Sequence, residues 1–200
     1  QVFGDNVRTR ACAMAAAGSD ARMGGCALPV IINSGSGNQG MTVCLPVIEY
    51  AKDLKVSEEK LYKALVLSNL IAIHLKKYIG SLSAFCGAVS ASSAAGAGIT
   101  YLFGGDYEEI GYTIVNTLGN VGGIVCDGAK ASCAAKIASA VHAAIVSHYM
   151  GSHERVFRAG EGFIKDDLEA TIRSMGYIGR VGMKETDEEI LNVMTDQVEL

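Results

Sequence analysis

Residues 78–105, YIGSLSAFCGAVSASSAAGAGITYLFGG, contain no charged side chain. At 1.5 Å of rise per residue such a run is long enough to cross the ~30 Å apolar layer of a bilayer. Its make-up argues otherwise. Ser81, Ser83, Ser90, Ser92, Ser93 and six glycines interrupt it, and Leu and Phe are few. A helix that is apolar on every side belongs in a membrane or in the middle of a large core. Small residues let neighbouring helices approach closely, so the reading is a buried helix over residues 81–103, broken at Gly104–Gly105, in a protein with no membrane span.

The flanking sequence is helical in both directions. Residues 7–23 read as a helix ending at Gly24–Gly25. Residues 27–40, ALPVIINSGSGNQG, begin as a short extended run and end as a loop feeding a helix over Met41–Leu54. Ser57 caps the next helix, with Glu58 and Glu59 in its first turn, Lys76 and Lys77 in its last, and Gly80 closing it. After the uncharged stretch come a helix over 107–118, a loop over Gly119–Gly123, and a helix from Ser132 to Met150. Gly151–Gly162 reads as an exposed connection, and Asp166–Met175 as a helix. Thr186 with Glu189 matches a capping box for a last helix over Asp187–Gln197. The expected fold is all-α: a compact bundle of about eight helices with Gly-rich loops forming the site, and at most one short strand.

Composition narrows the classes. The 200 residues suit one domain, here 1–200, with 24 glycines, 2 prolines, no Trp and a positive mean hydropathy. A formal charge of −4 and no Lys/Arg cluster speak against a nucleic-acid partner. Six cysteines without a small stapled scaffold or a signal peptide point to a reducing, cytoplasmic setting, where cysteine spacing means metal or catalysis.

Two loops carry the chemistry. Gly122–Lys136, GGIVCDGAKASCAAK, holds Cys126 and Cys133 seven positions apart. On an unbroken helix they would stand about 10.5 Å apart along the axis, too far to serve one compact site. The chain must therefore turn near Gly128, and CDGA is expected to be a ligand-presenting loop. Thiolates suit zinc, copper(I) or iron–sulfur clusters. Asp127 and Lys136 flank the cysteines as a relay or as solvated charges. Cys12 and Cys44 read as inert core residues, Cys26 is left open, and the four histidines show no ligand spacing. The second loop, Gly35–Gly40, matches G-x-G-x-x-G, but no βαβ unit surrounds it, so a nucleotide site ranks behind other readings. Its glycines expose N–H groups at a helix start, which suits a carboxylate as well as a phosphate. Ser34, Gly35, Ser36, Gly37, Asn38 and Gln39 are the expected substrate-binding residues.

SDARMGG (19–25), NSGSGNQG (33–40), SAFC (83–86) and CDGAKASC (126–133) together resemble the PLP-independent L-cysteine desulfidases, a family related to the iron–sulfur L-serine dehydratase α-chain. The resemblance spans nearly the whole chain and matches the family's C-terminal half. It implies a 4Fe–4S cluster and elimination of hydrogen sulfide from L-cysteine to give pyruvate and ammonia, with L-serine as the alternative substrate. It places Cys86, Cys126 and Cys133 at three cluster-ligand positions, with Asp127 and Lys136 as the nearest catalytic candidates. The family's further ligand cysteine lies in an N-terminal portion outside this chain, with Cys26 as an alternative source. A missing N-terminal part or a partner chain is therefore expected, as is a chain inactive alone; exposed apolar surface would favour a homodimer. The rival from another class is a non-enzymatic helical metal-sensing or interaction domain.

Overall fold

The computed structural model describes residues 3–80 and 83–198. Among these, eight α-helices form and no strand: α1 Val7–Met23, α2 Gly37–Asp53, α3 Glu58–Ile79, α4 Gly87–Leu102, α5 Tyr107–Val121, α6 Cys133–Gly151, α7 Leu168–Tyr177 and α8 Lys184–Met194. A π-helical turn, Ile178–Gly182, joins α7 to α8. The all-α expectation holds, and among the described residues no helix is long and apolar enough to cross a membrane.

Local chemistry sets the helix ends. Asn6, Ser36, Ser57, Asp106 and Asp167 each accept the N–H three residues on, the bond that satisfies an orphan donor at a helix start. Asp106 and Glu109 form a reciprocal capping box. Gly80 ends α3 at φ +95, a conformation that side chains other than glycine's resist.

The uncharged stretch is the centre of the molecule. α4 packs against α2, α3, α5 and α6, while α1 lies across α2 and α6, and α7 against α3 and α5. All of α4 from Ala88 to Thr100 is buried. Its glycines set the helix spacing: a Cβ at Gly96 would stand 3.2 Å from the Ala144 carbonyl of α6, and one at Gly98 would stand 2.9 Å from Val47 of α2. Ser93 Oγ is buried without a partner among the described residues, but Ser92 folds back to the Val89 carbonyl at 2.8 Å and Thr100 to the Gly96 carbonyl at 3.0 Å. Those two hydroxyls are thus buried without losing their bonds.

Several expected boundaries move. The helix expected over 81–103 begins only at Gly87; residues 81–82 lie outside the described residues, and 83–86 are extended because they pair with 124–126. α2 begins at Gly37 rather than Met41, since Ser36 caps it and the glycines form its first turn. α5 runs on through Gly119 to Val121. The connection after α6 is tied down, with Asn116 bridging the Arg155 carbonyl at 2.7 Å and the Phe157 N–H at 3.0 Å. The Thr186–Glu189 capping box does not form. The π-turn delivers the chain into α8 at Lys184, so Thr186 lies inside the first turn, and Met183 stands at the cap without a side-chain bond.

Two outcomes follow from this packing. Gly40 of α2 lies against the backbone of residue 31, where a Cβ would meet the Ile31 carbonyl oxygen at 1.8 Å. Gly40→Ala should cost about 3 kcal/mol, measured by denaturant unfolding. His148 is 2% exposed, with Nδ1 2.9 Å from Thr100 Oγ1. Burial pushes its imidazole from 6.5 down to about 4, with Glu109 partly opposing. A depressed folded pKa means stability that is complete above the unfolded value and lost as pH falls toward the folded one. Tm should therefore drop as pH falls from 6.5 to about 4, and His148→Gln should flatten that slope in a thermal-denaturation series.

Candidate functional site

The cysteine site is made where two extended segments meet. Phe85 and Val125 face each other in an isolated antiparallel bridge. The Cys86 N–H donates to the Ile124 carbonyl at 3.1 Å, and the Cys126 N–H donates to the Ala84 carbonyl at 2.6 Å. Side chains alternate along extended chain, so Cys86 and Cys126 leave the face opposite Phe85 and Val125. On that face they are diagonal neighbours, which ladder geometry places about 7–8 Å apart. Phe85 is buried and packs on Gly179 of the π-turn, where a Cβ would stand 3.1 Å from Phe85 Cβ. Ser83 Oγ ties the same turn through the Gly179 carbonyl.

Residues 126–129 are a loop, as their composition implies, with Gly128 at φ +92 making the turn. The loop returns to Cys133, the first residue of α6, whose sulfur accepts the Lys130 N–H at 3.4 Å. One turn further on, Lys136 Nζ donates to the Val125 carbonyl at 3.2 Å and to the Asp127 carboxylate. Lys136 thus clamps the 125–127 segment to α6. Its hydrogen bond holds the Asp127 carboxyl below the usual carboxylate range. Burial opposes the Lys136 ammonium, but Asp127 and the nearby Cys86 and Cys133 outweigh it and raise its pKa. An ionised, cation-paired Asp127 is a weak proton acceptor, and the pair's visible work is to hold the loop.

All the cysteines in the chain are free thiols. Burial pushes the Cys86 thiol up, while the Ala88 and Val89 amides at the start of α4 and the Lys136 charge pull it down. Lys76, in the last turn of α3, stands near Cys126 and Cys86. Burial lowers its pKa, and the two sulfurs partly restore it. In sequence Lys76 reads as an ordinary helix-end charge; nothing in the pattern marks it as half-buried beside two thiols. Among the described residues no three His, Cys, Asp or Glu side chains converge on one point as a single metal ion requires. The cavity next to the loop, about 640 Å³, is lined by Asp127 and residues of α8 and by none of the three cysteines.

The glycine loop is a tight two-residue turn. Ser34 and Gly35 both have positive φ, and residues 33 and 36 exchange backbone bonds at 3.2 and 3.0 Å, the pattern of a type I′ turn. Ser36 Oγ then caps α2 by accepting the Gln39 N–H at 3.3 Å. Gly37 lies against Arg22 and Val30. Asn38 is buried and accepts from Arg22 Nη1 at 3.0 Å, so the SDARMGG segment braces this loop directly. Gln39 reaches α4: a Cβ at Gly87 would stand 2.6 Å from Gln39 Nε2. Gly87 follows Cys86, so the two motif loops meet at the start of α4. Asn33 is bonded to Asn69 of α3, and Ser34 donates to Asn33.

The serine dehydratase alpha chain family profile matches residues 3–192. The chain belongs to that family. It is 61% identical over 197 residues to a UPF0597 protein of Desulfitobacterium hafniense, covering 98% of this chain and 46% of the relative. A UPF0597 protein of Lachnoclostridium phytofermentans is 62% identical over 96% of this chain and 46% of its own length. One from Phocaeicola vulgatus is 46% identical over 98% and 45%. The chain therefore spans about half the length of the curated relatives it matches. No solved structure matches it.

The Lys136 clamp is testable directly. Lys136→Met should speed hydrogen exchange at the Cys86 and Cys126 amides by about tenfold, while the amides at the centre of α4 stay protected, as read by NMR exchange rates.

Proposed function

We propose that this chain carries the iron–sulfur part of a β-eliminating amino-acid lyase acting on L-cysteine, with L-serine as the alternative substrate. The observation that carries the reading is the pairing of residues 84–86 with 124–126. It sets the segments carrying Cys86 and Cys126 against each other, with Cys133 at the start of α6 and Lys76 and Lys136 as nearby counter-charges. The family's description, serine dehydratase alpha chain, supports the reaction class and keeps serine as an alternative.

The donor set fits a four-iron cluster. Such a cluster takes each thiolate on a separate iron, so the sulfurs need not converge on one point as they would around a single ion. Cys86, Cys126 and Cys133 would hold it. When bound, it supplies an iron with an open coordination position, a Lewis acid for the leaving sulfur or oxygen. The reaction breaks the Cα–H and Cβ–S bonds and forms a Cα=Cβ bond; the resulting enamine takes up water to give pyruvate and ammonia, with hydrogen sulfide released. The chain's own residues position the parts. Lys136 and Asp127 fix the loop between two of the thiols, and the start of α2 closes on the start of α4 beside Cys86.

The remainder of the site is proposed to come from polypeptide corresponding to the rest of the relatives' length. Tyr62, Val66, Leu70 and Ile73 form one stripe of α3, each more than half exposed. Leu28, Ile31 and Ile32 are exposed as well, and the Asn33–Asn69 bond holds their segment against α3. An apolar face of this extent is a contact surface, and relatives more than twice as long supply an occupant for it.

Two measurements check these proposals. Anaerobic reconstitution with iron and sulfide should turn the chain brown, with broad absorbance in the blue, and Cys126→Ser should abolish the colour; a colourless chain binding one zinc would favour the metal-sensing alternative. Mixed with the unmatched portion of the Desulfitobacterium relative, the chain should form a one-to-one complex that Leu70→Asp breaks, as seen by light scattering. Only the reconstituted complex should release sulfide and pyruvate from L-cysteine. Sustained turnover by the chain alone, or self-association through the same face, would overturn this assignment.

A further inference from the structure

Gln39 is a largely buried residue whose side-chain amide is turned toward the start of α4. The residue is 9% exposed. Its backbone N–H is bonded to Ser36 Oγ, but among the described residues its side-chain amide makes no hydrogen bond. The amide is aimed at the first residue of α4. A Cβ on Gly87 would stand 2.6 Å from Gln39 Nε2 and 2.7 Å from Cδ, so the amide occupies the space that the missing side chain leaves.

The start of α4 has matching unmet donors. Cys86 is its N-cap and makes no side-chain capping bond, and the first turn holds no acidic residue. The Ala88 and Val89 amides favour the Cys86 thiolate. The Gly87 N–H has no acceptor among the described residues. A sixteen-residue helix presents positive potential at this end. The glycine loop itself has fewer donors to offer. The Ser36, Gln39 and Gly40 N–H groups are bonded within the turn.

We infer that the Gln39 amide and the Gly87 N–H form a seat for a small carboxylate. On the reading of the site proposed above, this is the α-carboxylate of the amino-acid substrate. One oxygen accepts from Gln39 Nε2 and the other from Gly87, and a ligand so held lies directly beside Cys86. Two donors match the two oxygens of a carboxylate, whereas a phosphate would bring further oxygens without partners. Glycine at position 87 is then a fitting requirement: a methyl group there displaces the amide that closes the seat.

The test titrates the chain with L-alanine, an amino acid without a leaving group, and follows the Gln39 side-chain and Gly87 backbone signals by 1H–15N NMR. L-Alanine should shift both signals saturably, and L-alaninamide, which lacks the carboxylate, should shift neither. Gln39→Met, which keeps the volume and removes the donor, should weaken L-alanine binding about tenfold or more, and Gly87→Ala should do the same. Melting temperature is recorded for each variant, and Gln39→Met decides the matter if Gly87→Ala does not fold. L-Alanine binding that survives Gln39→Met unchanged, or inorganic phosphate binding as tightly as L-alanine, would overturn the seat. Visible absorbance of the reconstituted chain reports on the cluster separately. A coloured chain whose Gln39 and Gly87 signals ignore L-alanine overturns the seat alone. A chain that binds L-alanine through Gln39 but takes up no iron overturns the cluster reading and leaves the seat standing.

Discussion

Close approach of helices around α4 is the constraint on which the rest of the structure depends. A helix surrounded by α2, α3, α5 and α6 must present small side chains on every face. Gly96 and Gly98 supply close contacts, against α5 and α6 on one side and α2 and α3 on the other. This packing is intolerant, because a single methyl group at either position meets a neighbour at about 3 Å and must be accommodated by moving a helix. It also fixes function-bearing atoms. α4 begins immediately after Cys86, so whatever holds α4 holds that sulfur. α6, which contacts α4 along its length, begins at Cys133. Two of the three thiols are therefore set by the starts of rigid helices, and only Cys126 depends on a loop.

That loop is made dependable by backbone bonds and one charge pair. A two-bond bridge is too short to stand as a sheet. It persists because Phe85 is buried against Gly179, Ser83 bonds to the same turn, and Lys136 reaches back to the Val125 carbonyl. The π-turn at Ile178–Gly182 thus acts on the cysteine site from a distant part of the chain. Turns of this kind often mark positions where a helix yields regularity to accommodate a neighbour. Here the neighbour is the extended segment that carries Cys86.

The sequence was most legible where a local rule was sufficient. Uninterrupted apolarity with small residues identified the central helix, and the cap at Ser57 and the turn at Gly128 follow from side-chain chemistry within a few positions. The Thr186–Glu189 pattern failed because a tertiary demand, the π-turn leading into Lys184, overrode a local signal. The helix over 81–103 was drawn too long because nothing within those residues announces that 83–86 will find a partner forty positions away. The two loops were recognisable as chemistry, and CDGA as non-helical, but their meeting at Gly87 was not. A glycine in an alanine-rich run has many uses, and only the Gln39 amide lying against it distinguishes this one. Lys76 was hidden for a similar reason: a lysine at a helix end is ordinarily a solvated charge, and its burial beside two sulfurs is a property of the fold.

The charges around the cysteines also explain one another. An ammonium is penalised by burial, as at Lys76, and so is a thiolate, as at Cys86. Each penalty falls when the opposite charge is present, so the groups favour being charged together or neutral together. Asp127 changes this balance on one side only. It occupies Lys136, keeping that cation charged and anchored to the loop, whereas Lys76 has no carboxylate among the influences on its charge and answers to the sulfurs alone. The two lysines are therefore not equivalent. Lys136 is a strut held to the loop by its own ion pair, whereas at Lys76 burial lowers the pKa and the facing sulfurs oppose that lowering.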